Sequence, residues 1–306
     1  MAIVSTSTSA FFERSRTDMK GLRAQAESLQ SQLSSGQKLS RSSDDPVAAS
    51  RLRALSRLGT LSGIDTANSQ RANADLTLAD AALSDMSEVV IRAQELATQA
   101  ANGTLTTDQR TAIGKELDAV YGSLVSLANS RDSNGHALFG GESAGDAYAL
   151  DGSGNASYIG TASSGDLPLG PGQSLTRSLT GPEFLNFTAD GTPTDLLSVV
   201  RNLSAALQGG SADPAGAAND ALKSLNAGLD TLTTAQTVVG ARLSWIELTT
   251  DRRTDLSELR STEEADLGAT DIASSIATLQ QTLLVLEASQ SSFSKLSGLS
   301  LFNQLR

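Results

Sequence analysis

The chain of 306 residues has no cysteine, one histidine, one tryptophan and only 4% aromatic residues. Without cysteine there is no disulfide framework, zinc–thiolate site or thiol nucleophile. With His136 as the single histidine, a general-base or metal role lacks the companion it would need. So few aromatic rings suit long, narrow helices rich in Ala, Leu, Ser and Thr better than a broad layered core. No run of about eighteen apolar residues occurs, and the stretch from Met1 to Thr6 has no basic segment leading into a long apolar one. Neither a membrane-spanning helix nor an evident Sec signal is therefore expected. Positive charge is also scarce, with 23 Lys and Arg against 34 Asp and Glu and a formal net charge of -11. Nucleic acids, whose binding rests on Lys and Arg replacing counterions, are poor partners for such a chain. An acidic surface repels its own copies, so any self-assembly must rest on specific apolar contacts.

What the chain does have is helical period. Met19, Leu22, Ala26, Leu29 and Leu33 step by three and four, as the a and d positions of a heptad do. Gly36 is placed to stop that helix. Asp45 and Pro46 announce the next: a carboxylate can cap the first exposed N–H groups, and proline at the first helical position gives up no hydrogen bond. Asp44 is read with Asp45 as part of the same cap rather than as a catalytic carboxylate pair. A further stripe runs through Leu76, Ala79, Leu83, Met86, Val90, Ala93 and Ala97 and breaks at Asn102-Gly103. Another, at Ile113, Leu117, Val120, Leu124 and Leu127, follows the start signal Thr106-Thr107-Asp108 and completes a helical hairpin.

From about residue 134 to residue 193 the period is lost. Four of the six prolines fall there, glycines are frequent, and Ala147 to Leu150, Ser157 to Ile159 and Phe184 to Phe187 read as strands. A long stripe then occupies Leu222, Leu225, Leu229, Leu232, Val239, Leu243 and Ile246, on a helix expected from about Ala215 to Arg260. The last stripe is the most regular: Ile272, Ile276, Leu279, Leu283, Leu286, Gln290 and Phe293. Leu296, Leu299, Leu301, Phe302 and Leu305 then crowd the chain end, where an isolated chain would leave them wet.

The fold class is mainly α with an inserted β-rich domain, as an elongated antiparallel helical bundle with paired N- and C-terminal coiled-coil helices. The expected divisions are a terminal helix over 1–40, a helical rod over 41–133, the insert over 134–193, the rod's return over 194–265 and a terminal helix over 266–306. Internal stripes are expected to close on one another. The terminal stripes, with Met19, Leu22, Leu29 and Leu33 at one end and Ile272, Ile276, Leu279, Leu283, Leu286, Phe293 and Leu296 at the other, are the expected assembly interface.

Other motifs have plainer readings. Gly141-Glu142-Ser143-Ala144-Gly145 has the spacing of a nucleophile elbow, but the one histidine precedes it and no strand-turn-helix surrounds it, so a glycine-rich turn is preferred. Asp151 to Asn155 begins like a calcium loop, yet Ala156 and Ala162 occupy the positions that need glycine and glutamate. Arg51, Arg53 and Arg57 form a positive cluster that either seats an acidic neighbour or is a solvated helix face.

Several of these segments together carry a family resemblance. Gln32-Leu33-Ser34-Ser35-Gly36 and Ser42-Ser43-Asp44-Asp45-Pro46-Val47-Ala48-Ala49-Ser50 resemble the N-terminal signature of the flagellar hook-filament junction family, the hook-associated protein 3 type. Ala101 to Leu105 and Asn129 to Gly141 are similar to that family's hairpin turn and its entry to the insert. Val239-Gly240-Ala241-Arg242-Leu243, Leu286 to Phe293 and Leu299 to Phe302 are similar to its closing pattern. The stretch Asp266 to Asp271 is longer than the family's usual turn. The resemblance implies a structural subunit with no catalysis and no cofactor. It implies assembly between hook-associated protein 1 and flagellin, with its own copies in a ring, and unfolded export through the flagellar type III channel with a chaperone, to an extracellular location. The alternatives are a flagellin-like filament subunit and, from a different class, an enzyme using the insert on a surface polymer.

Overall fold

The computed structural model describes residues 2–303, with side chains over residues 10–296. Seven α-helices occur among these residues: α1 (Ala2–Ser35), α2 (Pro46–Ala100), α3 (Thr107–Ala128), α4 (Gly181–Leu185), α5 (Leu196–Ala205), which continues into a π-helical turn (Ala206–Gly210), α6 (Pro214–Gly268) and α7 (Ile272–Asn303). Six strands lie between α3 and α5: β1 (Tyr148–Leu150), β2 (Ala156–Tyr158), β3 (Asp166–Gly170), β4 (Gln173–Thr176), β5 (Asn186–Ala189) and β6 (Thr192–Asp195). They pair only as three separate antiparallel hairpins. The chain divides into two compact units, Met1–Thr60 with Asp255–Arg306, and Leu61–Thr254.

The core of the second unit is built from the internal stripes. Ala72, Leu76, Ala79, Leu83, Met86, Val90, Ala93 and Ala97 on α2 are fully buried, as are Leu117 and Leu124 on α3 and Leu225, Leu232 and Val239 on α6. The alanines of the α2 stripe let the helices approach closely, and the larger apolar side chains fill the space between. The stripe from Leu222 to Ile246 lies on one unbroken helix, whose seam is completed by Ala218, Ala221, Gly228 and Ala235. A Cβ at Gly228 would stand 2.6 Å from Leu196 Cδ1, so close packing there requires glycine.

The strand region is tied to the helices by specific polar groups. Asn129 Oδ1 accepts from the Ala147 and Tyr148 N–H groups, and its Nδ2 donates to Tyr148 O. The Tyr121 hydroxyl donates to Gly154 O and accepts from Ala156 N–H. Phe139 and Phe184, both fully buried, meet edge to face at 4.8 Å. The stretch from Phe184 to Phe187, expected as a strand, is instead the end of α4 followed by the start of β5. The reason is local: Thr180 and Glu183 form a capping box around Pro182, which is a helix start signal. The β3–β4 hairpin carries Pro168 inside a strand and two positive-φ glycines, Gly170 and Gly172, at its turn, a composition that hides a strand from pattern reading.

One buried charge stands out. Asp75 on α2 is only 6% exposed. Burial, reinforced by the charge of Asp132, raises its carboxyl above the usual range, with Arg177 and Arg71 opposing. The folded state thus holds this proton more tightly than the unfolded chain, so Asp75 lowers stability as pH rises from the ordinary carboxylate value through the raised one. Asp75→Asn is expected to unfold at higher temperature than the parent at neutral pH. The difference should close as pH falls through the unfolded carboxylate range, which thermal unfolding at a series of pH values measures.

Candidate assembly surface

In the first unit the two terminal helices lie against each other, and the turns that precede α2 and α7 are stitched together. Gly36, in the left-handed region, ends α1 and donates to Gln32 O. Gln37 then bridges to Ala269, with Lys38 N–H donating to Gly268 O at 2.8 Å and Thr270 N–H to Gly36 O at 3.0 Å. Asp271 starts α7 by accepting from Ser274 N–H at 3.1 Å. The Asp266 to Asp271 stretch is thus divided between the last turn of α6, this bridge and the cap of α7.

At the start of α2, Asp45 Oδ1 accepts from the Val47 and Ala48 N–H groups at 3.1 and 3.0 Å, and Pro46 is the first helical residue. Asp44, expected to share that cap, does not. Its Oδ2 accepts from Ser40 N–H, the Ser40 hydroxyl and Arg41 N–H, closing the turn before it. Those hydrogen bonds, led by the Arg41 N–H, hold its carboxyl below the usual range. The two neighbouring aspartates thus do different jobs. Asp45→Ala is expected to weaken the start of α2 by about 1 kcal/mol, read as faster hydrogen exchange at Val47 and Ala48. Of the arginine cluster, Arg51 pairs with Glu263 on α6 through two hydrogen bonds of 2.6 and 2.8 Å. Arg53 bonds Ala49 O of its own helix.

The principal neighbour of α1 is α7. On α1 the covered face is Phe12, Ser15, Met19, Leu22, Ala26, Leu29 and Leu33, an unbroken heptad row in which Ala26 is buried and the others half-buried. The expected α7 seam is covered only in part. Leu279, Leu286 and Phe293 are half-buried, and Phe293 meets Phe12 edge to face at 5.3 Å. Ile272, Ile276, Leu283 and Leu296 are exposed, at 59, 43, 48 and 45%. The face that meets α1 runs instead through Ser275, Leu279, Thr282, Leu286, Ser289 and Phe293, with Thr282 buried and its hydroxyl bonded to Thr278 O. Two heptad rows therefore interleave on α7 and share three residues. Small Ser and Thr side chains admit α1 on one side, and a row of large apolar residues remains on the other.

That outer row is flanked by Leu284 and Val285, also exposed, on a helix whose charged residues are Glu287 and Lys295 alone. Phe11, Met19, Val285, Phe293 and Leu296 line a groove of about 360 Å³ along the same pair of helices. A helix with so few charges and a wet apolar edge gains by covering that edge, at roughly 25 cal/mol per Å² of apolar area. The side chains of Leu299, Leu301 and Phe302, and Leu305 as a whole, lie outside the described residues.

The chemical motifs resolve as turns. The His136 side chain is 58% exposed, with Nδ1 3.6 Å from Asp132. Ser143 Oγ accepts from Gly145 N–H, and Gly141 has φ of 72°. The Asp151 carboxylate is engaged by Ser153 and Asn155 of its own loop. Among the described residues no group of three His, Cys, Asp or Glu side chains could hold a metal ion, and no helix is long and apolar enough to cross a membrane.

Residues 6–144 match the bacterial flagellin N-terminal helical region. Flagellar hook-associated protein 3 of Escherichia coli strain K12 is 27% identical over 287 residues, covering 89% of this chain and 90% of that protein. Its counterpart in Salmonella typhimurium is 24% identical over 312 residues, covering 97% and 98%. The crystal structure of flagellar hook-associated protein 3 from Legionella pneumophila superposes with a TM-score of 0.63 at 16% identity, over 70% of this chain and 98% of that one. Along nearly its whole length the chain is similar to flagellar hook-associated protein 3, and its residues 6–144 match the N-terminal helical region of the bacterial flagellins.

Proposed function

We propose that the chain is a structural subunit of the bacterial flagellum at the junction between hook and filament, an adaptor without catalysis that joins hook-associated protein 1 to flagellin. Whole-length similarity to two proteins that bear the hook-associated protein 3 name supports this reading over a filament subunit. The observation that carries the mechanism is the second apolar row on α7, Ile272, Ile276 and Leu283, which α1 leaves uncovered. Copies of the chain in a ring, and the subunits above and below, would bury that row, so that assembly completes a core which one chain leaves half built. The acidic surface keeps free subunits apart until apolar rows meet.

Export through the flagellar type III channel with a chaperone fits a chain without cysteine, whose apolar chain end needs cover in transit. Deleting the gene is expected to leave cells without filaments while unpolymerised flagellin accumulates in the medium. Filaments of normal length in the deletion strain would overturn the junction reading. Growth of long filaments from the purified chain alone would point to a filament subunit instead.

A further inference from the structure

The sequence contains two Asn-Gly dipeptides, Asn102-Gly103 and Asn134-Gly135. A following glycine leaves its backbone nitrogen unhindered, so that nitrogen can attack the asparagine side-chain carbon. The fold puts the two dipeptides in opposite states. Asn102 lies in the turn between α2 and α3, and its Oδ1 accepts from the Thr104 N–H at 3.0 Å and the Thr104 hydroxyl at 2.9 Å. Two donors on that oxygen polarise the amide and stand where negative charge collects during attack, the arrangement that stabilises acyl-transfer intermediates. Among the described residues the Gly103 N–H has no acceptor, and a Cβ added at Gly103 would meet nothing within 4 Å.

At the second dipeptide both reacting groups are restrained by one residue. The Gly135 N–H donates to Asp132 O at 3.0 Å, and Asn134 Nδ2 lies 3.5 Å from Asp132 Oδ2. Gly135 also has φ of 85°, fixed in a tight turn.

We propose that Asn102 is a site of spontaneous self-modification, at which the α2–α3 turn deamidates while Asn134 is protected. The Gly103 nitrogen gives its proton to water and bonds to Asn102 Cγ. The Cγ–Nδ2 bond breaks, and the side-chain nitrogen takes up a proton and leaves as ammonia. Water then opens the five-membered imide at either carbonyl, giving aspartate or isoaspartate at position 102. No electron transfer is involved. The product carries a new negative charge close to Arg110, whose Nη2 donates to Gly103 O at 3.4 Å. The isoaspartyl form lengthens the hairpin backbone by one methylene.

The test is peptide mapping of the full-length purified chain aged at mildly alkaline pH in ¹⁸O-water, with and without urea. In the folded protein Asn102 is expected to convert about tenfold faster than Asn134, the factor that one additional broken hydrogen bond imposes. In urea the two should convert at the same rate, because each is then simply Asn-Gly. Gly103→Ala, which the open space at that position accommodates, is expected to slow conversion of Asn102 with the circular dichroism unchanged. Equal rates in the folded protein, faster conversion at Asn134, or indifference to Gly103→Ala would each overturn the proposal.

Discussion

A chain carrying Ile276→Asp together with Leu283→Asp is expected to fold and reach the culture medium in parent amounts, yet to leave cells without filaments. Both side chains are about half exposed in the single chain, so the new carboxylates stay solvated and helix content is unchanged. In the assembled junction the same carboxylates would lie in an apolar seam without a cation, and α7 offers only Lys295 in return. An unpaired buried charge costs several kcal/mol, which corresponds to at least a hundredfold loss of association. Electron microscopy of the cells, with circular dichroism of the purified variant, separates the two effects. Normal filaments would remove the outer row from the interface.

The second large effect belongs to the strand region. Phe139→Ala is expected to destabilise the protein by about 3–5 kcal/mol, because Phe139 is fully buried against Phe184 and its removal leaves the space of a ring to fill. Its carbonyl also accepts from Gly181 N–H and the Tyr158 hydroxyl, so the backbone it anchors holds α4 and β2 in place. Urea unfolding should show a lower midpoint, with hydrogen-exchange protection lost first in β1, β2 and α4. A loss below about 1 kcal/mol would mean that the ring is replaced by rearrangement.

Much of the helical part was legible because helices announce themselves locally. The three-and-four spacing of Leu76 to Ala97 and of Leu117 to Leu124 names the faces that are buried, and Gly36, Asp45-Pro46 and Thr106 mark where helices stop and start. The strand region was harder. Strands of three to five residues hold too few alternations to outvote a proline or a glycine, so spacing does not reveal β3, β4 or β6, and the Phe184–Leu185 end of α4 reads as strand. The aspartate pair shows a finer limit: adjacent carboxylates with one chemistry serve a turn and a helix, and only the donors around each tell them apart.

The candidate surface divides in the same way. By itself the sequence determined that both chain ends are apolar-striped helices, that α7 is nearly uncharged, and that no cysteine or second histidine is available for chemistry. Period and composition are properties of neighbouring residues, so they survive without a fold. Only the tertiary structure decided which of two interleaved rows on α7 meets α1, and therefore that α1 leaves Ile272, Ile276 and Leu283 uncovered. It also set Arg51 against Glu263, 212 residues away along the chain, and Lys38 against Gly268. Register of this kind follows from long-range packing, in which Thr282 admits a helix that Leu283 would hold off, and a one-residue rotation of the face is invisible to spacing alone.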